Sequence, residues 1–190
     1  MKKLISCMHI SLDGFVAGLK GEMDWIQVDD ELFSYSGKLT EEADTALYGR
    51  VTFEMMENYW PTAADQPGAS KHDLEHSRWY NAVDKIVLSG TKQKTGSKNI
   101  QVIANNLAAE INGRKQTGGK NILVFGSPTA VHSLMQENLI DEYWLFVNPI
   151  LLGEGIPLFK GIREHVKLKL VTNKVFTSGV TALHYRVNTP

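Results

Sequence analysis

The chain lacks features that several classes of protein require. Cys7 is the only cysteine among 190 residues, so neither an intramolecular disulfide nor a cysteine zinc cluster can form. The net charge is −1, without the basic excess of a dedicated nucleic-acid binder. The longest apolar run, residues 144–153, contains Asn148 and Pro149 and is too short to span a bilayer. We therefore expect no nucleic-acid partner and no membrane partner.

The amino-terminal stretch "MKKLISCMHISLDGF" begins with two lysines, as signal peptides often do. Its apolar run is interrupted by polar residues, however, and no small-residue cleavage site follows. Hydrophobic residues make up 43% of the chain and charged residues 22%, which is the ordinary mixture of a globular domain. The composition predicts a cytoplasmic protein.

Short apolar runs bounded by turn residues recur along the chain, and helical patterns lie between many of them. The runs "TALYG", "KIVLSG", "IQVIA" and "NILVFG" are typical of strands. Strands that alternate with helices indicate a largely parallel sheet with helices on both faces. The last segment, "KLKLVTNKVFTSGVTALHYRV", alternates around a Ser-Gly turn and predicts an antiparallel hairpin. We predict a single α/β domain over residues 1–190.

One predicted strand runs directly into a helix in "LVFGSPTAVHSLM", residues 123–135, and the first turn of that helix has no acidic residue. A carboxylate is common there because a helix amino terminus carries partial positive charge. Ser127 is a natural N-cap and Pro128 suits the first helical position. The backbone N–H groups of Thr129 and Ala130 would then be free to bind a phosphate. The alternative is a helix capped by Ser127 and hydrated by water.

Two further strand ends have chemistry that suits an anion. "LYGRVTFEMM" places Gly49, Arg50 and Thr52 at a strand-to-helix junction. Arg50 either binds a phosphate with its guanidinium or pairs with an acid of its own helix. Residues 89–98 contain lysines and hydroxyls but no acid, which indicates either a solvated loop or a phosphate pocket beside a ribose. Together the three strand ends favour an anionic ligand more strongly than any one of them does.

The segments "ISLDGFVAG", "LYGRVTFEMM", "KIVLSGT" and "ILVFGSPTAVHSLMQENLIDEYWLFVNPILLGEGIPLF" occur in this order. The sequence resembles the dihydrofolate reductase superfamily, and within it the branch related to the riboflavin-biosynthesis reductase domain. The resemblance implies a three-layer αβα fold with a mostly parallel central sheet and an antiparallel C-terminal hairpin. It also implies NADPH as cofactor, a reductase site between the first-strand loop and the dinucleotide, and a homodimer.

The same resemblance assigns residues to the cofactor. Arg50 would face the 2′-phosphate, the turn after "KIVL" would hold the adenosine ribose, and the turn after "ILVF" would receive the pyrophosphate. The local lysines agree with NADPH, since an NAD site prefers an acidic partner for the ribose. One departure is that the folate enzymes have paired glycines where this chain has glycine followed by Ser127. The predicted cofactor-binding residues are Gly49, Arg50, Thr52, Ser89, Gly90, Thr91, Gly126, Ser127 and Thr129.

Hydride transfer to a heterocycle or imine also needs a proton, from an acid or a relayed water. In folate reductases a carboxylate five positions after a tryptophan holds the pteridine; counting from Trp25, that position is Asp30, with an acid on either side of it. Asp13 and Glu154 are the other catalytic candidates. Their ordinary roles would be helix-start charge for Asp30, turn formation for Asp13 and an exposed loop for Glu154.

Two other groups of side chains have competing interpretations. His72 and His76 are four residues apart on a predicted helix, a spacing that zinc sites use, but no third ligand is evident and we predict no metal. Trp60 and Trp79 flank an irregular stretch and either pack in the core or cover a flat heterocycle. Cys7 is predicted to be a core residue.

The sequence leaves three hypotheses open. The first is an NADPH-dependent reductase of a small pyrimidine- or pteridine-like heterocycle. It is most like 5-amino-6-(5-phosphoribosylamino)uracil reductase of riboflavin biosynthesis, with dihydrofolate reduction as the alternative. A phosphoribosyl group would require a basic pocket, and the first-strand loop supplies only Lys20. The second hypothesis is a non-catalytic NADPH-binding paralogue, and the third is an interaction module that uses the strand "WLFVNPILL" as a subunit interface.

Overall fold

The computed structural model of the protein describes residues 1–90 and 99–188. The strands are β1 (Leu4–Ser11), β2 (Phe15–Ala17), β3 (Ala43–Gly49), β4 (Asp84–Leu88), β5 (Ile100–Ile103), β6 (Asn121–Phe125), β7 (Glu142–Asn148), β8 (Ile156–Pro157), β9 (Leu168–Val175) and β10 (Thr181–Val187). The α-helices are α1 (Asp30–Glu41), α2 (Arg50–Tyr59), α3 (Lys71–Ala82), α4 (Leu107–Gln116) and α5 (Pro128–Gln136), and a 3₁₀ helix covers Trp60–Asp65.

Eight of these strands form one sheet in the order β5-β4-β3-β6-β1-β7-β10-β9. The first six are mutually parallel, so their carboxyl ends share one edge of the sheet. β10 is antiparallel to both β7 and β9. The predicted parallel sheet with a C-terminal antiparallel hairpin is therefore confirmed.

Helices cover both faces of the sheet because the strands bury side chains on both faces. On β1, Leu4 and Met8 belong to a core cluster that also contains residues of α4 and α5, such as Ile111 and Leu134. Cys7, from the opposite face of the same strand, packs in a second cluster with residues of α1. This alternation is the two-residue period of a strand. The three-layer arrangement agrees with the predicted αβα fold, and Cys7 is buried as predicted.

Two features were not predicted. β2 and β8 form a small antiparallel sheet beside the main one. Gly155 precedes β8, and a side chain there would collide with the backbone oxygen of Ala17. A glycine is therefore needed where the loop after β7 approaches β2. The 3₁₀ helix follows α2 directly and covers the first half of residues 61–70, the stretch that the sequence predicted to be irregular.

β7 ends at Asn148, before Pro149, and so is shorter than the predicted apolar strand. It is paired with β1 on one side and β10 on the other, so its apolar residues serve the core and it cannot act as an edge interface. The edge strand β9 instead has exposed apolar side chains, among them Leu170, Val171 and Val175. Within residues 1–90 and 99–188, no helix has the length and apolar character that membrane crossing needs.

Candidate active site

A cavity of about 630 Å³ lies at the carboxyl edge of the parallel sheet, between β1, β6 and the helices α1, α2 and α3. Its walls include the aromatic residues Phe33, Trp60, Trp79, Phe125 and Phe146. This volume falls in the range of small-molecule sites, which are typically apolar with a few placed polar groups. The cavity is therefore the candidate active site, in the position where ligands bind to open α/β sheets.

Two helices begin next to each other beside this cavity. Gly49 precedes α2 and Ser127 precedes α5, and the strands before them, β3 and β6, are adjacent in the sheet. Neither helix has an acidic residue in its first turn or a side-chain hydrogen bond at its cap. The first backbone N–H groups of a helix have no acceptor within the helix. We call the first turns of α2 and α5 the open helix starts.

Each of the remaining α-helices of the described chain has at least one acidic residue in its first turn. Asp29 caps α1 by accepting a hydrogen bond from the Leu32 amide at 2.7 Å. Ser70 and Asp73 form a reciprocal capping box on α3, and α4 has Glu110 in its first turn. The open helix starts are thus a local exception, as the sequence predicted for α5.

Ser127 joins the two open helix starts. Its side-chain Oγ accepts a hydrogen bond from the Gly49 amide at 2.8 Å, so it does not cap its own helix. Gly126 and Ser127 both have left-handed backbone conformations, with φ of 55° and 59°. For serine this costs about 1 kcal/mol, so the turn retains a conformation that glycine would adopt more easily. The arrangement leaves the amides of Thr129 and Ala130 without a side-chain acceptor.

The other predicted cofactor residues lie around the same edge. Thr52 lines the cavity, and its methyl group is 3.5 Å from the position a Gly126 Cβ would take. Arg50 pairs with Glu54 at 2.7 Å, and both side chains are about half exposed. An exposed pair of this kind is weak, so the guanidinium could exchange Glu54 for a phosphate.

The turn after β4 is only partly described. The amide of Ser89 donates to the backbone oxygen of Ile103 at 3.1 Å, which ties the end of β4 to the end of β5. Gly90 follows and is exposed. Thr91 lies outside the described residues, as do the lysines at 92, 94 and 98. Their predicted contact with a ribose phosphate stays a prediction.

None of the three carboxylates predicted for catalysis lines the cavity. Asp30 is the exposed first residue of α1, three positions before the cavity residue Phe33. Glu154 is exposed in the loop before β8. A role for either carboxylate at a substrate stays a prediction.

Asp13 connects two loops at the carboxyl edge of the sheet. It accepts hydrogen bonds from the Ser11 hydroxyl at 2.6 Å, the Gly153 amide at 2.8 Å and the Leu152 amide. These hydrogen bonds, that of Ser11 foremost, outweigh desolvation and hold the pKa of Asp13 below its ordinary value. The Asp13 carboxylate is therefore ionised at neutral pH and joins the loop after β1 to the loop after β7.

Three histidines that the sequence did not place in the site line the cavity: His9, His72 and His76. The ring of His9 stacks on Phe146, with 5.0 Å between centroids. Burial lowers the pKa of His9 to about 4 and that of His76 to about 3, so both rings are neutral at pH 7. The alternation of β1 could have indicated His9, because Cys7 lies on the same face and also lines the cavity.

Asn148 holds the strands beneath His9. Its side-chain amide donates to the backbone oxygens of Phe146 and Ile10 and accepts from the Gln27 amide at 2.9 Å. It also lies 3.4 Å from the Nδ1 atom of His9. A buried asparagine with this many partners fixes β1, β7 and the segment before α1 together.

With this geometry in place, comparison with known proteins identifies the family. The sequence matches the RibD C-terminal domain over residues 2–182. The chain belongs to this family. A curated relative, the uncharacterized protein YyaP of Bacillus subtilis, is 32% identical over 189 residues, which cover 98% of this chain and 96% of YyaP. Membership in the RibD C-terminal domain family supports an oxidoreductase in general terms.

Solved structures confirm the fold. A pyrimidine reductase-like protein of Corynebacterium diphtheriae matches with a TM-score of 0.68 at 16% identity, covering 100% of this chain and 93% of that one. The dihydrofolate reductase of Enterococcus faecalis, solved with NADP(H) and RAB-propyl, matches with a TM-score of 0.64 at 17% identity, covering 98% and 97%. The family match confirms the predicted riboflavin-related branch, and the solved structures confirm the predicted dihydrofolate reductase-like fold.

Proposed function

We propose that this member of the RibD C-terminal domain family is an NADPH-dependent reductase of a pyrimidine- or pteridine-like heterocycle. The observation that carries the proposal is the pair of open helix starts beside the aromatic cavity. Two positive helix ends without acids or side-chain caps favour a ligand with several negative charges. When bound, NADPH supplies the hydride for the reduction.

The residues present fit a phosphorylated dinucleotide. The turn of Gly126 and Ser127, with the amides of Thr129 and Ala130, offers backbone donors for the pyrophosphate. Arg50 at the start of α2 can hold the 2′-phosphate by giving up its exposed pair with Glu54. The E. faecalis structure of similar fold was solved with NADP(H), which supports the assignment of the cofactor.

The cavity favours a flat substrate. Aromatic side chains at its walls bind planar rings by stacking, and the solved structures of similar fold include a pyrimidine reductase-like protein and a dihydrofolate reductase. The two substrates to compare first are 5-amino-6-(5-phosphoribosylamino)uracil and dihydrofolate. We propose water as the source of the proton, since none of the three predicted acids lines the cavity and the two carboxylates that do, Glu41 and Glu75, belong to exposed residues.

The cofactor assignment is tested by titrating the protein with NADPH and NADH and following fluorescence. We expect NADPH to bind at least tenfold more tightly than NADH. Arg50→Ala should weaken NADPH binding roughly tenfold and leave NADH binding nearly unchanged, because a charge-assisted hydrogen bond contributes about 1.5 kcal/mol or more. Arg163→Ala, an exposed arginine in another loop, is the control. Equal binding of both nucleotides by the wild type, or no binding, would contradict the proposal.

A second candidate function is a non-catalytic NADPH-binding protein. It is favoured by the absence of Asp13, Asp30 and Glu154 from the cavity lining. The two candidates separate in one assay, which follows NADPH absorbance with each heterocycle at saturating nucleotide. Oxidation of NADPH by any of them supports the reductase, whereas tight NADPH binding with no oxidation supports the second candidate.

We also propose that the protein is a homodimer. The edge strand β9 pairs with β10 on one side only among the described strands, and it exposes Leu170, Val171 and Val175. An exposed strand edge with apolar side chains is a common site of subunit pairing. Sedimentation at micromolar concentration should give a dimer that Val171→Lys dissociates, whereas a wild-type monomer of 21.2 kDa would contradict the proposal.

A further inference from the structure

One wall of the cavity combines imidazole and indole rings from α3 and the 3₁₀ helix. His72 stacks face to face on Phe33 of α1, with 3.8 Å between ring centroids. The ring of His76 lies 4.1 Å from Trp60, and the two histidine rings are 5.4 Å apart. All of these residues line the cavity. We call His72, His76 and Trp60 the histidine wall.

The histidine wall has hydrogen-bonding groups that the protein itself does not use. Elsewhere in the described chain, the Nε2 atoms of His132 and His184 bind acceptors at 2.8 to 3.0 Å, whereas the Nδ1 atom of His184 is buried without a partner. Neither His72 nor His76 makes a hydrogen bond to any residue in the described ranges, although both are at least partly buried. The nitrogens of His72 and His76 are not among the buried side-chain atoms that lack a partner. Since both residues line the cavity, their nitrogens are accessible from it and available to a ligand.

The protonation state of the wall restricts what it can bind. Burial lowers the pKa of both histidines, that of His76 to about 3. The rings are therefore neutral at pH 7, and each offers one N–H donor and one nitrogen acceptor. A neutral donor-acceptor pair matches the edge of a heterocyclic amide or amidine. It does not match a phosphate, which accepts only.

The charged residues that line the cavity also disfavour a phosphate on the substrate. Glu41 and Glu75 line the cavity, and Arg78 is the one lysine or arginine among its described lining residues. A phosphate arm on the substrate would therefore meet two carboxylates and a single guanidinium. The positive end of the site, at the open helix starts, is the part that the proposed function assigns to the cofactor.

We propose that the histidine wall recognises the substrate and selects an uncharged planar heteroaromatic ring that has no phosphate arm. This rests on the proposed reductase function and narrows it, since it assigns the substrate class. Trp60 contributes a stacking surface, and the free imidazole nitrogens of His72 and His76 read the polar edge of the ring. The ribosylaminopyrimidine phosphate is then disfavoured as a substrate.

Three flavin-type probes test the charge preference: lumichrome, riboflavin and FMN. Riboflavin and FMN differ only in the phosphate, and lumichrome has neither the phosphate nor the ribityl arm. Binding is followed by the fluorescence of the probe with the protein saturated by NADP⁺, so that the open helix starts are filled. We expect lumichrome to bind most tightly and FMN at least tenfold more weakly than riboflavin. FMN binding as tight as riboflavin would overturn the proposal.

Variants test the residues. His76→Phe and His72→Phe keep a ring of similar shape and remove the nitrogens, so each should weaken lumichrome binding about fivefold to tenfold, the value of one hydrogen bond. His165→Phe, in an exposed segment away from the cavity lining, should change nothing. Both histidine variants are made so that the test can still be carried out if one of them does not fold, as judged by circular dichroism. Wild-type affinity for lumichrome in both would overturn the proposal.

The outcome for the histidine wall can be separated from that for the cofactor. Lumichrome binding to the variants is measured with and without NADP⁺. If NADP⁺ does not bind, the charge comparison is made without it and judged by the same criteria. Loss of NADP⁺ binding with retained histidine dependence contradicts the proposed cofactor alone. Normal NADP⁺ binding without histidine dependence contradicts the histidine wall alone.

Discussion

The amino and carboxyl edges of the parallel sheet differ in how their polar groups are satisfied. At the amino edge three lysines each form an ion pair with a carboxylate, at 2.6 to 2.7 Å: Lys2 with Asp44, Lys3 with Glu142, and Lys115 with Asp141. At the carboxyl edge two helices begin without acids or side-chain caps, and two histidines leave their nitrogens free of described partners.

This difference indicates that the polar groups of the amino edge contribute to stability and those of the carboxyl edge to ligand binding. Polar groups that are satisfied inside the chain hold the fold together, and polar groups that are left open are available to a ligand at some cost in stability. We expect substitutions at the amino edge to change the free energy of unfolding with little effect on ligand affinity. Substitutions at the carboxyl edge should do the reverse.

The largest expected effect is at Glu142, which is buried and bonded to Lys3, His184 and Arg186 at 2.7 to 3.0 Å. Glu142→Gln should lower the free energy of unfolding by about 3 kcal/mol, because it leaves cationic partners without their shared anion. Urea denaturation measures the change, with the exposed Glu137→Gln as control. NADPH affinity should stay as in the wild type, and a loss of affinity comparable to the loss of stability would break the comparison.

The same carboxylate predicts a pH dependence. Burial alone would raise the pKa of Glu142, but the hydrogen bonds from Lys3, His184 and Arg186 outweigh it and hold the pKa below its ordinary value of 4.5. The stabilisation from Glu142 is thus complete above that ordinary value and is lost as the pH falls through the lower folded value. The difference in stability between the wild type and Glu142→Gln should shrink over this acid range and be constant near pH 7.

An effect of intermediate size is expected at Thr129, in the open start of α5, where one substitution should weaken NADPH binding without lowering stability. Thr129→Asp should weaken NADPH binding about thirtyfold, or about 2 kcal/mol, because a carboxylate would occupy the position of a phosphate. The same change should leave the protein as stable as the wild type or raise its stability by up to about 1 kcal/mol. Thr129→Asn has the same shape without the charge and should bind NADPH nearly as the wild type does. Equal weakening by both variants would remove the electrostatic explanation.

The smallest expected effect is at Ser127. This residue lies at an open helix start, at the carboxyl edge, but its hydroxyl is satisfied within the chain. Ser127→Ala removes the hydrogen bond to the Gly49 amide and should cost about 1 kcal/mol of stability. Ser127→Gly loses the same bond but relieves the left-handed conformation, so it should be close to the wild type in stability. Thermal and urea unfolding of the pair would show this difference. Equal stability of the two variants would mean that the backbone conformation at this turn costs nothing.

The sequence was sufficient to predict the fold because its signals are local. The all-apolar strand β6, the turn chemistry of the C-terminal hairpin and the missing acid at the start of α5 each report on a few adjacent residues. β7 shows where such reasoning fails. Its apolar residues indicate burial but not which neighbours bury them, and a pairing with β10 depends on residues some forty positions later.

The candidate site was predicted only in part for the same reason. The open helix starts follow from local sequence, but the hydrogen bond from Gly49 to Ser127 joins residues 78 positions apart. His72 and His76 have a zinc-compatible spacing, and only the fold shows that their rings face Phe33 and Trp60. No group of three or more potential metal ligands occurs in the described part of the chain. The local sequence around Asp13 indicates only a turn residue. Its role in joining two loops depends on a segment 140 positions later.

The most direct test of the account is a titration with NADP⁺ followed by the ¹⁵N–¹H spectrum of the backbone amides. The account predicts saturable shifts that are largest for the amides at the open helix starts, those of Thr52, Thr129 and Ala130. The amides at the amino edge, near Glu142, should not move. Shifts confined to other parts of the chain, or no saturable shift at all, would contradict the claim that these helix starts are kept open for the phosphates of the cofactor.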